Sequence, residues 1–301
     1  MPILMRLLAA IASILLLTSP GFAPIGARSI HTGIEAKPAL WLVKDRDTAI
    51  YLFGTIHVLR PDIHWFHGPV KKAFDKSDTL VLEVVTDDKA AVAQATARLA
   101  LDPGGTPLTQ KLDPAMRAKY LSLLESSGLS REQLEPFHPW FAAVTLSMAP
   151  LARLGYSPDA GAEDVLKSAA EKARKAVIPL ETVEGQLGFF AALPEKTQIL
   201  FLGSTIDEMA ELETQISRMV SEWSAGRPEA LAEDMNDSLK EMPEVADALL
   251  YRRNRNWADW IKRRMDRPGT VFVAVGAGHL AGPGSVLDEL GKRGLTVRRV
   301  E

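Results

Sequence analysis

Not one of the 301 residues is cysteine. Disulfides, thiolate metal sites and a cysteine nucleophile are excluded together. A surplus of either charge is missing too: 35 Lys and Arg stand against 38 Asp and Glu, the formal net charge is −3, and the two signs are interleaved. With no basic patch and no polybasic tail, nucleic acid and anionic membrane surfaces are not the expected partners; a peptide or small-molecule substrate is. HExxH, the GxSxG elbow, and the Walker and dinucleotide fingerprints are all absent, as is any internal repeat of about 20 to 50 residues. The most apolar run, residues 7–17, falls short of the roughly 20 residues that a membrane span needs.

What is present begins with that run. Arg6 precedes LLAAIASILLL, and TSPGFA follows it, with small residues at Gly21 and Ala23. This order of basic, apolar and helix-breaking segments is that of a cleaved export signal. Residues 1–27 are read as the signal, with cleavage after Ala23 or Ala27, and the mature chain is expected in a bacterial periplasm, with no stable membrane span. Residues 28–38, including His31, read as a polar linker, and residues 39–301 as one domain. At 47% hydrophobic the chain can bury a large core.

Strand-like stretches cluster at both ends of the domain. Residues 39–43 and 49–53 flank the charged segment KDRD as a hairpin, and residues 79–85 (TLVLEVV), 271–275 (VFVAV) and 295–299 are further strands. Between them lie helical patterns over 88–100, 114–127, 141–154, 157–176, 184–193, 194–226, 228–239 and 243–267, with a short strand VIPL at 177–180. Asp113 and Pro114 start one of these helices and Gly128 ends it. The fold class that follows is α/β (α+β): a mixed central sheet built from N- and C-terminal segments, with a large, largely helical insertion at approximately 87–240.

Two strands end alike. YLFGTIHV carries Gly54 and His57; VFVAVGAGHL carries Gly276 and His279. Glycine permits left-handed turns that swing a following side chain over a sheet edge, where α/β proteins usually place their chemistry. Glu83 interrupts an otherwise apolar strand, and Glu181 follows VIPL directly; a carboxylate in such a place needs a partner. Two histidines with one or two carboxylates can hold a divalent metal beside water, and imidazole is also the side chain suited to act as a base near neutral pH. Arg253 and Asn254 lie on a helix shortly before the second GxxH, where an inward arginine could hold a carboxylate or a polarised oxygen bidentately. His64 and His67 read as solvated loop residues and His138 as a helix cap. Gly282-Pro283-Gly284 reads as a chain reversal that could also expose amides.

GTIHVLRPD, LVLEV, LETVEGQ, Arg253-Asn254 and VGAGHLAGPGSV, in this order over roughly residues 40–300, resemble the TraB/GumN family, which includes the Tiki metalloproteases and is related to the erythromycin esterases and haem-binding ChaN proteins. The resemblance implies a metal-dependent peptidase, with Mn, Co or Zn as cofactor. It implies His57, Glu83, His279 and Arg253 as catalytic residues and His57, His279, Glu83 and Glu181 as metal ligands. Gly161-Ala162-Glu163 matches a further Gly, apolar, acid pattern and adds Glu163 as an outer candidate. The alternatives are a metal-free histidine-dependent, esterase-like hydrolase and a non-catalytic peptide- or haem-binding protein.

Overall fold

The computed structural model describes residues 33–236 and 243–301. The expected signal, the first part of the linker with His31, and the end of the helix expected at 228–239 lie outside these residues. The strands are β1 (Ile34–Glu35), β2 (Leu40–Lys44), β3 (Thr48–Thr55), β4 (Ile63–His64), β5 (Thr79–Leu82), β6 (Ala176–Pro179), β7 (Gly269–Gly276) and β8 (Val297–Arg299). Six of them form one sheet in the order β6-β5-β7-β3-β2-β8, while β1 and β4 pair separately. β6, β5, β7 and β3 are mutually parallel, and β2 is antiparallel to both β3 and β8. The β2–β3 hairpin closes through Asp45, whose Oδ1 accepts from the amides of Asp47 and Thr48.

Parallel strands covered on both faces read as continuous apolar runs, and their residues then divide between two cores by pleat. Ile50, Leu52, Val81, Val271, Val273 and Val275 face one side; Phe53, Leu80, Leu82, Phe272 and Ala274 face the other.

Fourteen α-helices are numbered along the described residues. Those before the middle strand are α1 (Gly68–Lys76), α2 (Lys89–Ala100), α3 (Leu108–Lys111), α4 (Pro114–Ser127), α5 (Arg131–Leu134), α6 (Pro139–Met148) and α7 (Ala162–Lys172). After it come α8 (Val183–Ala191), α9 (Glu195–Glu208), α10 (Leu212–Ser224), α11 (Pro228–Asn236), α12 (Pro243–Ala246), α13 (Arg252–Arg264) and α14 (Val286–Lys292). α13 and α14 cover the first face of the sheet, and α1, α7 and α10 the second. A third core, around Trp140 on α6, gathers α2, α4, α8 and α9 into the helical insertion.

Several boundaries depart from expectation. The helix expected over 194–226 breaks into a 3₁₀ turn at Met209–Glu211. Phe201 and Leu202 before the break pack into the Trp140 core, whereas Ile216 and Trp223 after it pack on the sheet, and one straight helix cannot serve both. The helix expected over 141–154 stops at Met148, two residues before Pro150, which has no N–H to continue the ladder. That expected over 157–176 begins as a 3₁₀ turn, Pro158–Ala160, and only then becomes α7. Residues Asp247–Tyr251 are π-helical and lead directly into α13. β5 ends at Leu82, so Glu83 stands just beyond the strand rather than inside it. The short strand expected at 177–180 is present as β6, at the edge of the sheet.

Candidate active site

Because β3, β5, β6 and β7 run parallel, their carboxyl ends lie along one edge of the sheet, and each hands over a polar side chain there. His57 follows β3, Glu83 follows β5, Glu181 follows β6 and His279 follows β7. The ladder between β5 and β6 continues past the strands, with Leu180 N donating to Leu82 O and Glu181 N to Glu83 O, both at 2.8 Å. In-register pairing of Thr55 with Gly276 sets the two GxxH turns side by side. Their glycines are not left-handed, contrary to expectation. A Cβ at Gly54 would lie 3.0 Å from Ala277 Cα, so close packing of one turn on the other is the reason for glycine there.

Arg253 fills the middle of this edge and is fully buried. Its Nη2 donates to Glu83 Oε2 at 2.5 Å and to Glu181 Oε2 at 2.9 Å, and its Nε donates to the two Glu181 oxygens at 2.9 and 3.1 Å. Nη1 reaches Leu249 O, in the π-helical turn, and His279 Nε2, each at 3.2 Å. A guanidinium has five N–H groups, and all five are engaged. Trp257, one helical turn on from Arg253, donates to Glu181 Oε1 at 3.0 Å and lies under the guanidinium, 4.6 Å from its centre.

The carboxylate of Glu83 is held from three directions. Oε1 accepts from Gly276 N at 2.7 Å, and Oε2 accepts from Gln186 Nε2 at 3.0 Å as well as from Arg253. Burial raises the Glu181 carboxyl above its ordinary range, with repulsion from Glu83 adding to it, and Arg253 and Trp257 only partly offset this. Arg253 is held in its charged form: burial works against the charge, but the two carboxylates outweigh burial. His279 goes the other way. Burial, then the positive charges of Arg253 and His57, push it well below 6.5. Its Nδ1 lies 2.6 Å from Asn254 Oδ1, whose Nδ2 donates to Gly284 O at 2.7 Å. The turn at Gly282-Pro283-Gly284 thus presents a carbonyl to the site, while the Gly284 amide donates to Asp288.

His57 has a different neighbour. Its Nδ1 lies 2.7 Å from Glu163 Oε1, the oxygen that also accepts from the Thr55 hydroxyl. The reason lies at the start of α7, where Ala162 N donates to Ile56 O at 3.0 Å, so the helix begins against the GxxH turn. At Gly161 an added Cβ would fall 2.0 Å from His57 O. Burial would raise the Glu163 carboxyl, but the His57 charge and the hydrogen bonds from His57, Thr55 and the Glu163 backbone outweigh it and the group sits below its ordinary value. Its second oxygen, Oε2, is buried without a partner. His57, Glu83, Thr86, Glu163, Asp164, Lys167 and Gln186 line a cleft at this edge. Burial, followed by the charges of Glu163 and Asp159, raises the Asp164 carboxyl.

The sequence named His57, Glu83, Glu181, Arg253 and His279, and the fold assembles all five at this edge. It did not single out Gln186 or Trp257. Gln186 belongs to LETVEGQ, and Trp257 shares a helix face with Arg253 at i+4, which was the signal available. His64 is exposed, and His67 pairs with Glu35, in the β1–β4 corner. His138 occupies the N-cap position of α6, but its side chain does not cap the helix. It lies instead with Asp102 and Glu195, the group of three His, Asp or Glu donors within 4.8 Å of one another among the described residues. Lys111 Nζ stands between those carboxylates, 2.5 Å from Asp102 and in contact with Glu195.

A sequence profile of the TraB/PrgY/gumN family matches residues 39–299. The chain belongs to that family. It is 25% identical over 249 residues to the uncharacterized protein YbaP of Escherichia coli K12, covering 83% of this chain and 90% of the relative. An uncharacterized protein of Treponema pallidum is 23% identical over 271 residues, covering 85% and 80%. Metalloprotease TIKI1 of Danio rerio is 23% identical over 330 residues, covering 93% of this chain and 66% of that protein. No solved structure matches. The family, with the distant metalloprotease relative, points to a hydrolase. That relative and the Asp102–His138–Glu195 group together hint at a divalent metal and select no particular one.

Proposed function

We propose that the chain is an exported hydrolase of peptide bonds in which His57 activates water and Glu163 orients it. The observation that carries this is the 2.7 Å contact between His57 Nδ1 and Glu163 Oε1, in a cleft shared with Glu83. With the Nδ1 proton held by the carboxylate, the lone pair of the neutral ring lies on Nε2. That nitrogen takes the proton from an attacking water and returns it to the leaving amine, while Glu163 stabilises the imidazolium between the two steps. Export rests on the basic, apolar and small-residue order of residues 1–27; among the described residues no helix is long and apolar enough to cross a membrane.

The metalloprotease relative brings a divalent ion into consideration. His57, Glu83, Glu181 and His279 do not fit as a single ligand set, because Arg253 already bonds to both glutamates and to His279 Nε2. Two donors of the cleft remain outside that clamp. His57 through Nε2 is backed by a carboxylate on its other nitrogen, as metal-bound histidines usually are, and Glu83 Oε1 carries one hydrogen bond, from Gly276. An ion held there would polarise the scissile carbonyl and lower the pKa of water. The two roles exclude each other, because one Nε2 lone pair cannot hold an ion and take a proton: the metal-free reaction with His57 as base is the first reading, favoured by the commitment of His279 to Arg253 and Asn254, and an ion at His57 and Glu83 is the second.

The test is to incubate the full chain with a mixture of peptides, in EDTA or with Mn, Co or Zn, and to read new termini by mass spectrometry. Cleavage in EDTA supports the first reading, and cleavage that needs an ion supports the second. Peptides left intact under every condition, or bound and recovered unchanged, would sink the hydrolase reading.

A further inference from the structure

His279 is the second GxxH histidine and the natural partner for His57, yet its contacts differ in kind. The carbonyl of Gly284 can only accept, so the Asn254 side chain must turn Nδ2 toward it, at 2.7 Å. That turns Asn254 Oδ1 toward His279 Nδ1, at 2.6 Å, and an amide oxygen can only accept. The imidazole proton therefore sits on Nδ1. The lone pair then sits on Nε2, where Arg253 Nη1 points from 3.2 Å, and a guanidinium can only donate. Each step follows from the one before it, and both ring nitrogens are used up inside the protein. The ring is buried and packs on Trp257 with centroids 4.5 Å apart.

We propose that Asn254 and His279 form a hydrogen-bond strut, running from the Gly284 carbonyl to Arg253, that fixes the guanidinium in the plane where it clamps Glu83 and Glu181. His279 is a positioning residue, and it touches neither substrate nor ion. The function of the strut rests on the proposed hydrolase site, because Glu83 is the group it delivers to the cleft. A guanidinium free to rotate about its long side chain could not keep two carboxylates apart and Glu83 aimed at the cleft at once. The strut removes that freedom by holding Nη1 from the side opposite the carboxylates. It also explains why arginine and asparagine are adjacent on α13: Arg253 is the clamp and Asn254 sets the tautomer of its support.

The test is nitrogen NMR on the full chain labelled with ¹⁵N-histidine, with the His279 signals assigned by loss in His279→Asn. The expected result is a neutral ring protonated on Nδ1, whose nitrogen shifts do not move when Zn²⁺ is added while those of His57 do. Movement of the His279 nitrogens on adding zinc, or a ring protonated on Nε2, would overturn the proposal. If zinc moves neither ring while His279 keeps the Nδ1 proton, the strut stands and the ion at His57 falls. Asn254→Ala supplies the second reading. It is expected to give a mixture of the two neutral tautomers at His279 and to lower kcat about 10-fold with KM unchanged, the usual scale for a lost orienting partner. An unaltered tautomer in that variant would also overturn the proposal.

Discussion

His57 Nδ1 and Glu163 Oε1 stand 2.7 Å apart, joined by the packing of the start of α7 against a turn that belongs to the sheet. Replacing Glu163 with Gln keeps the volume and removes the charge that stabilises the imidazolium. We expect kcat for peptide cleavage to fall about 10- to 100-fold in Glu163→Gln, and at least about 100-fold in His57→Ala. Steady-state kinetics on a cleaved peptide check both. Equal rates in wild type and Glu163→Gln would remove Glu163 from the mechanism.

Gly161 is needed for space and not for conformation, since its φ of −59° suits any residue. A Cβ there would meet His57 O at 2.0 Å and Pro158 O at 2.8 Å, both backbone atoms. Gly161→Ala should push α7 away from the GxxH turn, destabilise the fold by about 1–3 kcal/mol and separate Glu163 from His57. Chemical denaturation reads the first effect and the His57 ring nitrogen shifts read the second.

Arg253 is buried between two carboxylates, and removing it leaves both uncompensated. Arg253→Met should destabilise by about 3–5 kcal/mol at pH 7.5. Arg253→Lys should recover only part of this, because three N–H groups on a point charge cannot replace five in a plane. The loss should shrink toward pH 5 as Glu181, already raised, takes up a proton. A loss as large at pH 5 as at pH 7.5 would show that the carboxylates are not its source.

His279 ties stability to pH. Its folded value lies well below 6.5, so below pH 6.5 the unfolded chain binds a proton that the native ring refuses. The stability it contributes is therefore present above pH 6.5 and is lost as pH falls toward the depressed folded value. With one proton at 1.36 kcal/mol per unit, the loss at pH 5.5 relative to pH 8 is about 1.4 kcal/mol. Denaturant titrations of wild type and His279→Asn in EDTA should differ in their pH slope by this amount. Parallel slopes would mean that the ring charges freely in the native state.

The chemistry-bearing positions were legible because strand ends are. β-branched and aromatic runs stopping at Gly54 and Gly276, and a lone Glu83 after apolar residues, mark a carboxyl edge without any coordinates. Partner choice was not legible. The sequence shows His57, Glu83, Glu181, Arg253 and His279 as a set, but whether the acids meet an ion or a guanidinium depends on how α13 packs, and no residue of the π-helical turn Asp247–Tyr251 that leads into it is a signature. The break at Met209–Glu211 was hidden for a similar reason: it has neither glycine nor proline, and it exists because two separate cores pull on either side of it. Glu163 was visible only as an acid after Gly161, and its pairing with His57 needed the contact of α7 with the first GxxH turn.

The register that pairs Thr48 with Gly269 and Thr55 with Gly276 joins the two ends of the chain through the central strands of the sheet. A ribosome therefore finishes almost the whole polypeptide before β3 can acquire its neighbour. Until then β3 has only the hairpin partner β2, and the edge that carries His57 is incomplete. Contacts of such long range form slowly, after loop closure over most of the chain. A nascent chain of this design stays unassembled at its reactive edge while it is being made, and any product terminated before Gly269 has no site at all.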